Sequence, residues 1–203
     1  MALAQRNYYL LIDGSGSMKS LAGAGFSGTR WKAVEEIAIS LAEEVAKSDP
    51  DGIDLVLFQC GHLESFENQS DERAVREIFR KVSPFGGTPL HLAVRYMVDR
   101  FICQKADIEP SFGIVLTDGV PDDEMAVVRE IKRAADFMKA KSLPDETFTI
   151  WFIQVGDDPD GTRYLKLLDD KIESAVGFDL VDTTPVTELN GDIESMILKA
   201  IKD

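Results

Sequence analysis

The chain is poor in cysteine and in histidine, with two of each among 203 residues. Cys60 and Cys103 are too few to make a disulfide framework for a chain of this length. They read instead as two buried free thiols in a reducing compartment. His62 and His91 are the only imidazoles, and with no Cys-x-x-Cys spacing nothing points to zinc. Basic residues are outnumbered: 22 Lys and Arg stand against 36 Asp and Glu, a formal charge of −14. Such a balance argues against DNA, RNA or an anionic membrane as the main partner. No apolar run has the length needed to cross a bilayer. The short apolar run near the amino terminus has no small-residue cleavage site behind it, so no secretory signal is expected and the chain reads as cytoplasmic. No Pro/Gly/Ser tract, composition shift or internal repeat divides it, and residues 1–203 are expected to form one domain.

What the sequence does contain is a hydrophobic fraction of 44%, enough for a real core. It is distributed in two alternating periods. Continuous aromatic and aliphatic runs at 8–12, 53–58, 112–117 and 147–155 suit strands buried on both faces. A weaker run lies at 178–182, and Leu63 to Phe66 is expected as a short edge strand. Between them, apolar residues recur at three- and four-residue steps over 29–47, 71–82, 90–105, 123–141, 162–175 and 187–202, which predicts amphipathic helices. Ser70 is the expected cap of the second. Alternation of this kind predicts a three-layer, doubly wound α/β/α domain with a mostly parallel sheet. Its switch point is expected between the strand ending at Ile12 and the one ending at Thr117. In such sheets ligands bind beyond the carboxyl ends of the strands, near the switch point.

Three polar segments fall at those positions. Asp13-Gly14-Ser15-Gly16-Ser17 follows the first buried run, Gly86-Gly87-Thr88-Pro89 precedes a helix, and Asp118-Gly119 follows the third strong strand. Each alone is ordinary turn or cap chemistry. Together, the carboxylates of Asp13 and Asp118 and the hydroxyls of Ser15, Ser17 and Thr88 make an all-oxygen donor set. Such a set suits a hard cation, Mg²⁺ or Mn²⁺, more than a dedicated calcium cage. Two carboxylates roughly cancel a divalent charge. An open coordination position is then expected to take water or an acidic group from a partner.

These segments resemble the metal-ion-dependent adhesion site of the von Willebrand factor A domain. Asp13, Ser15 and Ser17 match its DxSxS motif, Thr88 its second-loop threonine and Asp118 its third-loop aspartate, so the motif is complete. The resemblance spans essentially the whole chain. It implies a central, mainly parallel sheet with one antiparallel edge strand, at Leu63 to Phe66, covered by helices on both faces. It also implies metal-mediated binding of a protein ligand through an exposed Asp or Glu. Ser15, Ser17 and Thr88 would be direct ligands, and Asp13 and Asp118 direct or water-mediated ones. The short chain resembles the solitary intracellular bacterial members of the family. Relatives of that kind commonly work beside ATPase, chelatase or stress-resistance machinery.

Further residues share the same rim. The glycine-rich segment 18–28 lengthens the first loop and brings Lys19 and Phe26 beside the site as possible partner contacts, although a surface loop without a role is the simpler account. Asp157 and Asp158 follow another strand and add acidic neighbours, with Asp160 or Thr162 expected as a helix cap. Trp31 and Trp151 are expected in the core.

An enzyme is the weaker reading. A phosphotransferase of the haloacid-dehalogenase type would pair Asp13 with Asp157, but its acid–base carboxylate would stand where this chain has Ser15. Gly14 and Gly16 lack the third glycine of a dinucleotide site. A structural adaptor, in which the ion only ties loops together, uses the same ligands as a binding module.

Overall fold

The computed structural model describes residues 6–23, 25–49, 51–105, 107–189 and 192–202. The outermost ends of the expected domain, and residues 190 and 191 of the expected last helix, lie outside the described residues. Six strands run β1 (Asn7–Asp13), β2 (Ile53–Gln59), β3 (His62–Gln69), β4 (Ser111–Thr117), β5 (Phe148–Gln154) and β6 (Val181–Pro185). Six α-helices accompany them: α1 (Arg30–Ser48), α2 (Glu72–Lys81), α3 (Leu90–Ile102), α4 (Glu124–Lys141), α5 (Pro159–Val176) and α6 (Ile193–Ala200). Among the described residues no helix is long and apolar enough to cross a membrane.

The strands form one sheet in the order β3-β2-β1-β4-β5-β6. All neighbours are parallel except β2 and β3, which are antiparallel. The period-two pleat splits each central strand between two cores. On β1, Tyr8, Leu10 and Ile12 join the core under α1, α2 and α6, while Tyr9 and Leu11 join the core under α3, α4 and α5. Trp151 and Ile153 on β5 face the first core, and Phe148, Ile150 and Phe152 face the second. Hence the unbroken apolar runs: both faces of these strands are dry.

Caps account for most of the helix boundaries. The Thr29 hydroxyl accepts the Lys32 amide at 3.3 Å and starts α1. Asp71, rather than Ser70, caps α2 by accepting the Ala74 amide at 2.9 Å. α5 begins at Pro159, earlier than the apolar period suggests. There the Asp158 carboxylate accepts the Asp160 and Gly161 amides at 2.9 and 3.1 Å, and proline at the first helical position gives up no needed donor. α6 starts late, capped by Asp192, after a 3₁₀ turn over Val186–Glu188. β3 is twice the expected length because its polar composition, ordinary for an exposed edge, hides it from a hydrophobic search.

The cysteines depart from expectation. Both are free, but both are exposed. Cys60 lies in the β2–β3 turn with φ 47° and Cys103 at the end of α3, where chain reversals leave side chains outside the layers. Trp151 is buried, whereas Trp31 is half-buried with its ring 4.5 Å from that of Phe79.

Candidate functional site

β1 and β4 are adjacent, with Ile12 opposite Leu116, so the chain leaves these neighbouring strands in opposite directions across the sheet. This is the switch point, and Asp13 and Asp118 stand at its carboxyl edge. Asp13 is fully buried. Its Oδ1 accepts the Ser15 amide at 2.8 Å and its Oδ2 accepts the Thr117 hydroxyl at 2.7 Å. Burial nevertheless dominates and, helped by the charge of Asp118, pushes the Asp13 carboxyl up to about 6.

A chain of hydroxyls leads outward. Ser15 Oγ and Ser17 Oγ share a hydrogen bond of 2.9 Å, and Ser17 Oγ donates to Asp118 Oδ1 at 2.9 Å. Ser15 and Asp118 are buried, while Ser17 is exposed and forms the open side. Thr88, also buried, arrives on a separate loop that is clipped to the first by two backbone bonds: Gly16 N donates to Gly86 O, and Phe85 N to Gly14 O, each at 2.9 Å. Gly86 must be glycine here. Its φ is +73°, and a Cβ would lie 2.7 Å from Cys60 Sγ.

Three participants were invisible to motif reading. Thr117 anchors Asp13 from the end of β4. Asp122 accepts the Thr88 amide at 2.9 Å and returns its own amide to the Thr88 carbonyl at 3.0 Å, locking that loop. Arg30 reaches Asp118 Oδ2 with Nη1 at 2.7 Å. Only Arg30 left a sequence trace: a cation in the first turn of a helix, against the helix dipole.

The expected rim residues divide. Lys19 ends a 3₁₀ turn over Gly16–Lys19 and is exposed. Phe26 is half-buried and packs against the first core, which occupies much of its ring. Asp157 is exposed, with one oxygen 3.9 Å from Arg30 Nη2. Asp158 is spent on capping α5.

Among the described residues no group of three or more His, Cys, Asp or Glu gathers where it could hold a metal. The expectation of an evident, complete metal centre is corrected accordingly. Only the carboxylates of Asp13 and Asp118 belong to the cluster, its remaining donors are hydroxyls, and one Asp118 oxygen already faces a guanidinium.

A doubly wound, mostly parallel sheet with a polar, hydroxyl-rich cluster at its switch point defines the class, a three-layer α/β/α domain. The chain belongs to the von Willebrand factor type A domain family, whose model matches residues 7–190. No curated protein matches the chain by sequence. Similar solved structures include the PilB minor pilin from Streptococcus sanguinis (15% identity, TM-score 0.61, 100% of this chain and 62% of that one). Others are the manganese-loaded TRAP protein of Plasmodium vivax (18%, 0.61, 97% and 75%) and the pilus adhesin SpaC from Lactobacillus rhamnosus GG (16%, 0.55, 98% and 30%). The chain thus spans 62% of the minor pilin and less of the adhesin.

These relatives overturn the expectation of a solitary, intracellular, cytoplasmic bacterial module. A minor pilin and a pilus adhesin are parts of pili, and in both the matching region is one portion of a longer chain. The cytoplasmic expectation rests on the lack of a recognisable secretory signal and on two unpaired thiols, neither of which specifies a compartment. None of the three is described as part of an ATPase or stress-resistance complex.

Proposed function

We propose that this domain is a protein-binding module that holds a divalent cation of the Mg²⁺ or Mn²⁺ class. Asp13, Ser15, Ser17, Thr88 and Asp118 would hold it, directly or through water. Through that ion it captures an exposed Asp or Glu of a protein partner. The observation that carries this reading is the convergence of a fully buried Asp13 with the Ser15–Ser17–Asp118 chain at the β1/β4 switch point. A carboxylate buried there, its acidity suppressed by lost hydration, lacks the countercharge that a divalent ion supplies. Hard neutral hydroxyls complete a donor set that fits Mg²⁺ or Mn²⁺. One similar structure, the TRAP protein, is manganese-loaded, which supports a divalent role here.

The bound cation supplies a positively charged acceptor for a carboxylate. Each residue of the chain contributes a distinct part. Asp13, fixed by Ser15 and Thr117, brings a charge that cannot swing away. Ser17 brings an exposed hydroxyl on the partner's side. Asp122 fixes the height of Thr88. This is a binding constellation with no step of catalysis assigned to it.

Calorimetric titration of the metal-stripped protein with Mg²⁺ and Mn²⁺ tests the ion; absence of saturable binding to folded protein would refute it. Partner capture is tested with wild type and Thr88→Ala, each with Mg²⁺ and with EDTA. Prey held equally in all four arms would leave the ion, if bound, a structural tie between loops.

A further inference from the structure

Arg30 is held with more care than a surface ion pair needs. It opens α1, where the helix dipole disfavours a cation, and no acidic residue of the first turn compensates. Its side chain is only 12% exposed. Nη1 reaches Asp118 Oδ2 at 2.7 Å and Nη2 lies 3.9 Å from the exposed Asp157, while Nε is buried with no partner. The guanidinium lies against the backbone of Gly156. That residue has φ +92°, and a Cβ there would come within 2.8 Å of Arg30 Cζ. The β5–α5 loop therefore keeps a side-chain-free seat for this one cation. Local preference is broken at two points, the helix dipole and the unpaired Nε. Such conflicts gather where function requires a particular arrangement.

The pairing fixes how Asp118 can act. Its Oδ1 accepts the Ser17 hydroxyl and its Oδ2 is taken by Arg30. Each oxygen therefore already accepts one hydrogen bond, and the guanidinium on Oδ2 competes with a cation for the charge of this carboxylate. The guanidinium also changes the charge of the cluster. Asp13 and Asp118 together cancel a divalent ion, and Arg30 adds a positive charge that partly offsets the neighbouring Asp157.

We propose that Arg30 is a built-in cation that tunes this site: by pairing with Asp118 it keeps that carboxylate at one remove from the bound ion and so weakens ion affinity. This rests on the divalent-site reading above. It assigns Arg30 a positioning and specificity-determining role that the metal-binding motif itself does not contain.

The test uses the intact protein with Mn²⁺ alone as probe. Dissociation constants are measured by calorimetry, and the hydration of bound Mn²⁺ by water-proton relaxation, for wild type, Arg30→Gln and Arg30→Lys. Removing a partly screened unit charge a few ångströms away should tighten Mn²⁺ binding by roughly tenfold in Arg30→Gln. The freed Asp118 carboxylate should displace one coordinated water. Arg30→Lys keeps the charge without the fork and should stay within about threefold of wild type. Unchanged or weaker affinity in folded Arg30→Gln, or an unchanged water count, would overturn the proposal. Binding by Arg30→Gln where wild type shows none would overturn it, because the natural protein would then hold no ion for Arg30 to tune. Absence of binding in all three proteins would instead refute the divalent-site reading and remove the inference with it.

Discussion

Asp122 and Thr88 hold each other twice: the carboxylate of one accepts the amide of the other at 2.9 Å, and their backbones exchange a second bond of 3.0 Å in the opposite sense. The clip joins the loop before α3 to the loop after β4. A buried threonine is thereby placed by an exposed aspartate. Asp122→Ala should cost about 1–2 kcal/mol, the scale of a lost charge-assisted bond to a backbone amide. It should also weaken Mg²⁺ binding by roughly tenfold through the displaced Thr88 hydroxyl. Urea unfolding and calorimetry on the same preparation separate the two effects; a stability loss without an affinity loss would show that the clip serves folding alone.

Ser17 offers the cleanest separation of binding from folding. It is exposed, and its hydroxyl bonds only within the cluster. Ser17→Ala should move folding stability by less than about 1 kcal/mol while lowering Mn²⁺ affinity several-fold. Equal affinity in wild type and variant would remove Ser17 from the ligand set.

Asp13 makes the metal-free protein pH-sensitive. Burial holds its carboxyl at about 6 in the fold, above its unfolded value of 3.8. The native state therefore binds the proton more tightly, and this contribution to stability is fully present below the unfolded value. It is lost as pH rises through about 6, amounting to roughly 2–3 kcal/mol at most. Thermal melts in EDTA should show this component declining between pH 4 and 6. In Asp13→Asn it should vanish because the amide does not titrate, while its oxygen can still accept Ser15 N–H and its nitrogen can donate to Thr117 Oγ1. The Asn variant should then be the more stable protein at pH 7 without divalent ions, and should bind none.

Gly86→Ala is expected to be costly for two additive reasons. The residue sits at φ +73°, and the new Cβ would meet Cys60 Sγ at 2.7 Å. Left-handed strain and crowding together predict a loss of roughly 1–3 kcal/mol. Because Gly86 O receives Gly16 N, ion affinity should fall as well. Denaturant titration of Gly86→Ala and of Gly25→Ala, a glycine at φ +90° with open space around it, isolates the crowding.

How much of this was legible in the sequence follows from what leaves a one-dimensional signal. β1, β4 and β5 did, because burial on both faces writes an unbroken apolar run. The loop motifs around Asp13, Thr88 and Asp118 did too, since strand-end position and residue type suffice to suggest convergence. β3 left little trace, because an exposed edge strand has no core to satisfy. Asp71 and Asp158 as caps depended on competition between adjacent polar residues, which only backbone dihedrals decide. Thr117, Asp122 and Arg30 act across 104, 34 and 88 residues respectively. Thr117 and Asp122 are ordinary strand-end and loop residues until the sheet order brings them to the site, and Arg30 is marked only by its place in the first turn of α1. Compartment was not written in the residues at all.

The two backbone bonds between Gly14–Gly16 and Phe85–Gly86 have a consequence for how the chain comes to life. No contiguous peptide contains the site, since its parts lie at 13–17, 88 and 118 and meet only after β1 has paired with β2 on one side and β4 on the other. Parallel pairings of such sequence separation close late, after the entropy of long loops has been overcome. Recognition at this edge is therefore a certificate of completed folding. A nascent or partly unfolded chain would lack the proposed site, and any ligand that bound there would draw molecules out of the unfolded pool.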